Sequence, residues 1–256
     1  MSRLEKLFLT KKKEVLNVYF TAGYPELNSV MSIMEALQEN GADIIELGMP
    51  YSDPLADGPV IQQSSQVALA NGMDLDTLFS QLKDMRSMIT IPVILMGYMN
   101  PVLQFGFERF CKMAAEVGVD GLILPDLPAH EFEHFYEPLI KKYGLDMIFL
   151  VTPETSDERV KKLDSLSTGF LYAVSSSSIT GSAAVNMGFE NYIERLVSLS
   201  LKNPVLVGFG ICDKAGFHKA SARTNGGIIG SAFIRALSGG GDVKATTKAF
   251  LSSILQ

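Results

Sequence analysis

Two cysteines and three histidines in 256 residues leave little material for a metal or redox centre. Cys111 and Cys212 stand alone, with no Cys-x-x-Cys and no spacing that gathers ligands, which fits a reducing, cytoplasmic setting. His130 and His134 are four apart on a helical pattern, but Glu131 and Glu133 beside them mark a solvated face rather than a zinc site, so no metal is expected. Positive charge is also short. Against 28 Asp and Glu there are 22 Lys and Arg, a net charge of -6, and no basic stripe or interleaved aromatic platform, which argues against a nucleic-acid partner. No apolar run approaches the roughly 20 residues that span a bilayer, so no membrane helix is expected. Met1 to Lys13 has the pattern of a charged amphipathic helix rather than a signal peptide. Every lysine falls in a helical or loop segment, which leaves a Schiff-base aldolase without an obvious nucleophile. The 12 methionines are scattered through apolar stretches and read as core filler.

What is present is an alternation. Apolar runs of strand length occur at Val15 to Thr21, Ala42 to Gly48, Ile91 to Tyr98, Gly121 to Leu124, Asp146 to Val151, Gly169 to Val174, Val205 to Val207 and Gly227 to Ile229. Between them lie helical patterns at Leu27 to Glu39, Leu75 to Ser87, Phe105 to Val117, Ala129 to Lys142, Ser156 to Leu166, Phe189 to Ser200, Lys214 to Ala220 and Val243 to Leu255. Gly41 and Gly118 each follow a helix, and Ser156 begins one. Continuous apolar strands alternating with helices of period 3.6 mean a parallel sheet buried on both faces. Eight such units in a chain of this length predict an α/β fold closed as a (β/α)8 TIM barrel, with an extra N-terminal helix. With no linker or composition break, residues 1–256 form a single domain.

One stretch stands out chemically: Glu46-Leu-Gly-Met-Pro-Tyr-Ser-Asp-Pro-Leu-Ala-Asp57-Gly-Pro59. Glu46 sits among Ile44, Ile45 and Leu47, and a carboxylate in an apolar strand is costly unless paired or protonated. It is either a structural acid bonding the N–H groups of the loop or a group for chemistry. Asp57 precedes Gly58, which is also ordinary turn chemistry. Together, one at a strand end and one on the next loop, they fall at the C-terminal mouth where barrel active sites lie.

Other features fall at the same mouth. Gly208-Phe209-Gly210-Ile211 follows the seventh strand, and Gly230-Ser231 follows the eighth at the start of a short helix. Either could be a plain turn; paired, they let backbone N–H groups approach a phosphate. The small, polar loop Ser175 to Ala184 after the sixth strand suits either a lid, with Thr180-Gly181 its candidate contact, or a flexible surface loop. Tyr172 points into the mouth if the strand alternation holds, as a substrate contact or as filler. Carboxylate acid–base work on a phosphorylated substrate, without a cofactor, is what remains.

Nearly the whole chain, in order, resembles the tryptophan synthase alpha chain family. The resemblance is carried by Tyr19-Phe20-Thr21-Ala22-Gly23-Tyr24-Pro25, by Glu46 through Gln62, by Leu95-Met96-Gly97-Tyr98-Met99-Asn100-Pro101, by Gly118-Val119-Asp120-Gly121, by Pro125-Asp126-Leu127-Pro128 and by the two glycine turns. It implies a (β/α)8 barrel that cleaves indole-3-glycerol phosphate to indole and glyceraldehyde 3-phosphate, holds no cofactor itself, and passes indole to a β chain carrying pyridoxal phosphate, as an α2β2 tetramer. It implies that Glu46 is the general acid/base and that Asp57 engages the indole N–H. Tyr19 and Tyr172 would lie by the substrate, and Thr180, Gly181, Phe209, Gly210, Gly230 and Ser231 would hold or cover its phosphate. Asp53 and Pro54, by their own placement at the barrel mouth, are the candidate contacts for a partner chain. One departure is in the lid, where the family pattern Ser-Arg-x-Gly-x-Thr-Gly is met here by Ser176 and Ser178, so the arginine is lost and the Thr180-Gly181 end is kept. Two other readings stand beside this one. A sugar-phosphate isomerase barrel would keep the glycine turns but give no reason for the loop between Glu46 and Asp57, and a non-catalytic, partner-activating barrel would have no use for both acids.

Overall fold

Strands that are apolar on both faces must be covered on both, and a ring of parallel strands inside a ring of helices does this without leaving an edge. The computed structural model describes residues 1–174, 183–208 and 210–256, with the side chains of 183–187 excepted. Its strands are β1 (Val15–Thr21), β2 (Ile44–Gly48), β3 (Val93–Met96), β4 (Gly121–Ile123), β5 (Asp146–Ile148), β6 (Leu150–Val151), β7 (Leu171–Val174), β8 (Val205–Gly208) and β9 (Gly226–Ile229). All pair in parallel in the order β5-β4-β3-β2-β1-β9-β8-β7-β6. The two ends of that order, β5 and β6, are halves of the one strand expected from Asp146 to Val151. β5 bonds to β4 and β6 to β7, so the ring closes through Phe149. There the ladder changes hands: the Phe149 N–H donates to Ser167 Oγ at 3.2 Å and its carbonyl accepts from Tyr172 N–H at 3.0 Å.

The helices are α1 (Arg3–Thr10), α2 (Val30–Glu39), α3 (Pro59–Ala70), α4 (Leu75–Leu82), α5 (Met99–Phe105), α6 (Phe107–Glu116), α7 (Ala129–Glu131), α8 (Glu137–Lys142), α9 (Asp157–Leu166), α10 (Ala183–Ser198), α11 (Lys214–Ser221), α12 (Ser231–Leu237) and α13 (Val243–Leu255). Three departures from the sequence patterns have local causes. The pattern from Phe105 to Val117 begins only at Phe107, because Gly106 at φ +94° breaks the chain from the preceding α5. The pattern from Ala129 to Lys142 is interrupted by a π turn at Phe132–Tyr136, where Pro138 has no N–H to offer the carbonyl four residues back. Pro59–Ala70, within the loop-like stretch after Glu46, is a helix with proline at its first position.

The core has two parts. Outward strand residues such as Leu16, Ile45, Leu47 and Val207 pack under the helices. Inward residues Val15, Ile44, Ile94, Ile123, Ile148, Phe170, Leu206 and Ile228 fill the barrel, and Leu4 of α1 joins them as a plug from below. That helix starts on a capping box, in which Ser2 and Glu5 exchange hydrogen bonds, and is tied down by Arg3 to Asp120 at 2.9 Å.

Candidate active site

Two residues after inward Ile44, on the same face of β2, comes Glu46. The register sets it level with Tyr19 on β1 and Ile94 on β3, and it is 1% exposed. Burial is the main force on its carboxyl group, pushing the pKa from 4.5 up to about 8; a hydrogen bond from Asn17 opposes this and the nearby charge of Asp57 adds to it. Asn17 Nδ2 donates to Glu46 Oε2 at 2.6 Å. Asn17 is not among the site residues expected from the sequence. Its signal was an amide in mid-strand, in phase with Val15 and Tyr19, where a buried polar side chain has to find a partner.

Asp57 is half-buried and lines the same cavity as Glu46. Burial raises its pKa, and a hydrogen bond from the Tyr98 hydroxyl works in the opposite direction. The loop that carries it is held at both ends: Ala56 N–H donates to the Tyr98 hydroxyl at 3.0 Å, and Gln62 Nε2 to the Asp57 carbonyl at 2.8 Å. Tyr98 itself stands at the start of α5, whose first N–H, that of Met99, donates to both oxygens of the Asp126 carboxylate at 3.0 Å.

The cavity is 480 Å³, a size suited to a small-molecule ligand. Tyr19, Tyr172, Gly210, Gly230 and Ser231 line it with the two acids, so these sequence-predicted residues come together. Two glycines make the room. A Cβ at Gly48 would collide with the Tyr19 hydroxyl, and one at Gly208 with the Tyr172 hydroxyl. Burial raises the pKa of both tyrosines, which keeps them neutral. Thr180, Gly181, Ser176, Ser178 and Phe209 lie outside the described residues. Asp53 is exposed and Pro54 half-buried on the loop, and neither lines the cavity. Among the described residues that line it, Arg235 is the one cation, and its guanidinium has no hydrogen-bond or ion-pair partner among them. No group of three or more His, Cys, Asp or Glu among the described residues is placed to hold a metal ion.

A (β/α)8 barrel with one carboxyl group buried in its mouth and a second on the adjoining loop of the same cavity belongs to the class of barrel proteins whose mouth holds a small-molecule site with acidic groups. A family model described as "Tryptophan synthase alpha chain" matches residues 6–253. The tryptophan synthase alpha chain of Flavobacterium johnsoniae is 52% identical over 240 residues, covering 92% of this chain and 94% of that one. Among solved structures, tryptophan synthase subunit alpha from Legionella pneumophila superposes with a TM-score of 0.88 at 35% identity, over 99% of this chain and 97% of that one. A tryptophan synthase complex from Pyrococcus furiosus gives a TM-score of 0.86 at 33% identity, over 96% and 99%. The chain belongs to the tryptophan synthase alpha chain family. Its activity is that of the alpha subunit, a lyase that cleaves indole-3-glycerol phosphate in tryptophan biosynthesis. No helix among the described residues is long and apolar enough to cross a membrane.

Proposed function

We propose that Glu46 and Asp57 carry this cleavage, and the observation that bears most weight is a carboxyl group buried in the barrel mouth with its pKa raised to about 8. A carboxyl group that stays protonated near neutral pH can begin as an acid. Glu46 gives its proton to indole C3, which leaves positive charge at the ring nitrogen. The bond from C3 to the glycerol carbon then breaks, its electron pair returning to the ring, while the hydroxyl on that carbon becomes the aldehyde of glyceraldehyde 3-phosphate. Glu46, now a carboxylate, accepts the hydroxyl proton and is restored. Asp57 accepts the indole N–H and stabilises the cation as it forms.

The rest of the cavity orients the substrate. Tyr19 and Tyr172 pack beside the indole. Gly210, Gly230 and Ser231 hold the phosphate, Arg235 faces it with positive charge, and Phe209, Thr180 and Gly181 complete or cover the site. The Pyrococcus complex supports an assembly with a β chain, which carries the pyridoxal phosphate; the alpha chain, which holds no cofactor, passes indole to it within an α2β2 tetramer in the cytoplasm. Asp53 and Pro54, on the loop beside the mouth, contact that partner. The test is indole release from indole-3-glycerol phosphate by the purified chain, alone and with a β chain added. Release that rises with the partner supports the reading. No release in either case, with the partner's own reaction accelerated, would make this barrel an activator and Glu46 a structural acid.

A further inference from the structure

Asn17 has an amide with only one of its two polar ends in use. Its side chain is fully buried; Nδ2 donates to Glu46 at 2.6 Å, and Oδ1 has no partner. A buried acceptor left unpaired is destabilising, and a leucine of similar volume would fill the place without that cost. We propose that Asn17 is a positioning residue whose amide follows the proton of Glu46, donating its N–H when Glu46 is a carboxylate and turning its Oδ1 to the O–H when Glu46 is an acid. The inference rests on the acid–base role of Glu46 given under Proposed function.

The chemistry asks for such a partner. Glu46 starts as an acid, becomes a base and returns within one turnover. A lysine or arginine beside it would bond only the carboxylate and hold it ionised. A partner that can only accept would bond only the acid. An asparagine amide offers both groups on one planar end, and a half-turn about its last torsion, which is broad and two-fold, exchanges them without changing the space filled. The unpaired Oδ1 is then the acceptor for the other protonation state.

The surroundings leave this task to Asn17. Tyr19 faces Glu46 from β1, Asp57 from the loop after β2 and Tyr172 from β7, while β3 offers Ile94 and Met96. Glu46 has no other hydrogen bond among the described residues, and no cation contacts it. The Tyr19 hydroxyl instead shares a hydrogen bond with Thr21 Oγ1 at 3.4 Å. Asp57 is a second negative charge that works against ionisation of Glu46.

The experiment uses the chain assembled with its β partner and compares Asn17→Leu and Asn17→Asp with the wild type in indole release across pH. Leucine removes the donor, and aspartate puts a second carboxyl group in its place. The amide bonds the charged carboxylate more strongly than the neutral acid, so losing both bonds, or gaining a second carboxyl group, favours the protonated form of Glu46, and the limb of the pH profile that reports Glu46 is expected to move up by about one unit. The leucine variant should also lose about 10- to 100-fold in kcat with KM changed by less than about twofold. A second readout is independent of turnover: the carboxyl 13C signal of Glu46, assigned by its loss in Glu46→Gln, should titrate higher in both variants. A wild-type limb and a wild-type NMR titration in either folded variant would overturn the inference, as would a fall in kcat with neither moved. If leucine prevents folding, the near-isosteric aspartate variant decides. Should the wild-type assembly release no indole, the functional reading fails, and the NMR titration still judges the Asn17–Glu46 pair.

Discussion

The two ends of the barrel treat buried carboxylates in opposite ways. At the bottom, Asp120 is 5% exposed and accepts from Arg3 at 2.9 Å, from Arg86 at 2.5 Å and from Val93 N–H at 2.8 Å. Asp164 accepts from the N–H groups of Lys202 and Asn203, and Asp43 from Leu16 N–H and Lys11. At the mouth, Glu46 is more deeply buried than any of these and has one neutral amide. The bottom acids meet the charges and backbone groups that stitch α1 and the lower loops to the strands. The mouth acid is left with its pKa displaced, and a displaced pKa is what acid–base chemistry near neutral pH requires. The residue class is the same at both ends; the number of donors around it separates an acid held by partners from one with its pKa displaced.

Exchanging Glu46 for glutamine gives the sharpest test of that contrast. The shape stays and the proton is lost, so cleavage should fall by about 10³- to 10⁴-fold while binding of a phosphate-bearing substrate analogue is kept. Steady-state rates and calorimetric titration with the analogue read the two separately. Substantial turnover in Glu46→Gln would put this acid in the same category as those below. The bottom should behave the other way. Asp120→Ala strands Arg86, which is mostly buried and also reaches the carbonyls of Gly118 and Ile91. Denaturant unfolding should show a loss of about 3–5 kcal/mol, with the rate per folded molecule little changed.

Smaller effects refine the picture at the mouth. Asp57→Asn keeps polarity but removes the charge proposed to face the indole nitrogen, and a kcat loss of about 10²-fold is expected, with some activity left. The pH dependence of stability should also betray Glu46. In the folded chain the group holds its proton to about pH 8, whereas at its ordinary value of 4.5 the unfolded chain has released it. Between those values the folded state binds more protons, so stability contributed by this group falls as pH rises and is fully lost above about pH 8. The wild type minus Glu46→Gln difference in unfolding free energy should slope downward across that window by a few kcal/mol. A flat difference would mean that the barrel mouth is wetter than it looks.

The barrel and its two acids were legible because both leave signals along the chain. Strand and helix periods differ, and an acid such as Glu46 between Ile45 and Leu47 breaks an apolar run where a site would lie. Partners across strands leave no such signal. Asn17 and Glu46 meet because β1 and β2 pair with Asn17 opposite Ile44, a register that no local pattern announces. The change of ladder at Phe149 is likewise set by closure of the ring rather than by its own residues. The helix at Pro59–Ala70 was hidden for a different reason: its polar residues Gln62, Gln63, Ser64 and Ser65 blur the apolar stripe, and Ser64 is instead buried to bond Thr21 Oγ1 at 2.7 Å. Arg235 went unnoticed because an arginine on a helix face is ordinarily solvated, and only the tertiary structure turns it toward a cavity.

Asp146 tests whether the contrast belongs to the ends of the barrel or to the pairing itself. It begins β5, at the bottom with Asp120, yet its Oδ2 is buried without a partner. Burial raises its pKa, and hydrogen bonds from Ser2 and Thr168 only partly offset this. A carboxyl group whose folded pKa is raised destabilises the fold at pH values above it. Asp146→Asn removes the charge that burial penalises. Near neutral pH it should therefore stabilise the chain by about 0.5–1 kcal/mol, read as a rise in the denaturant midpoint, and leave indole release unchanged. The same change made at Asp164 would lose stability, because there every donor faces a carboxylate. If Asp146→Asn destabilised as well, position at the bottom would matter more than pairing, and the unpaired oxygen of Asp146 would have a partner still to be found.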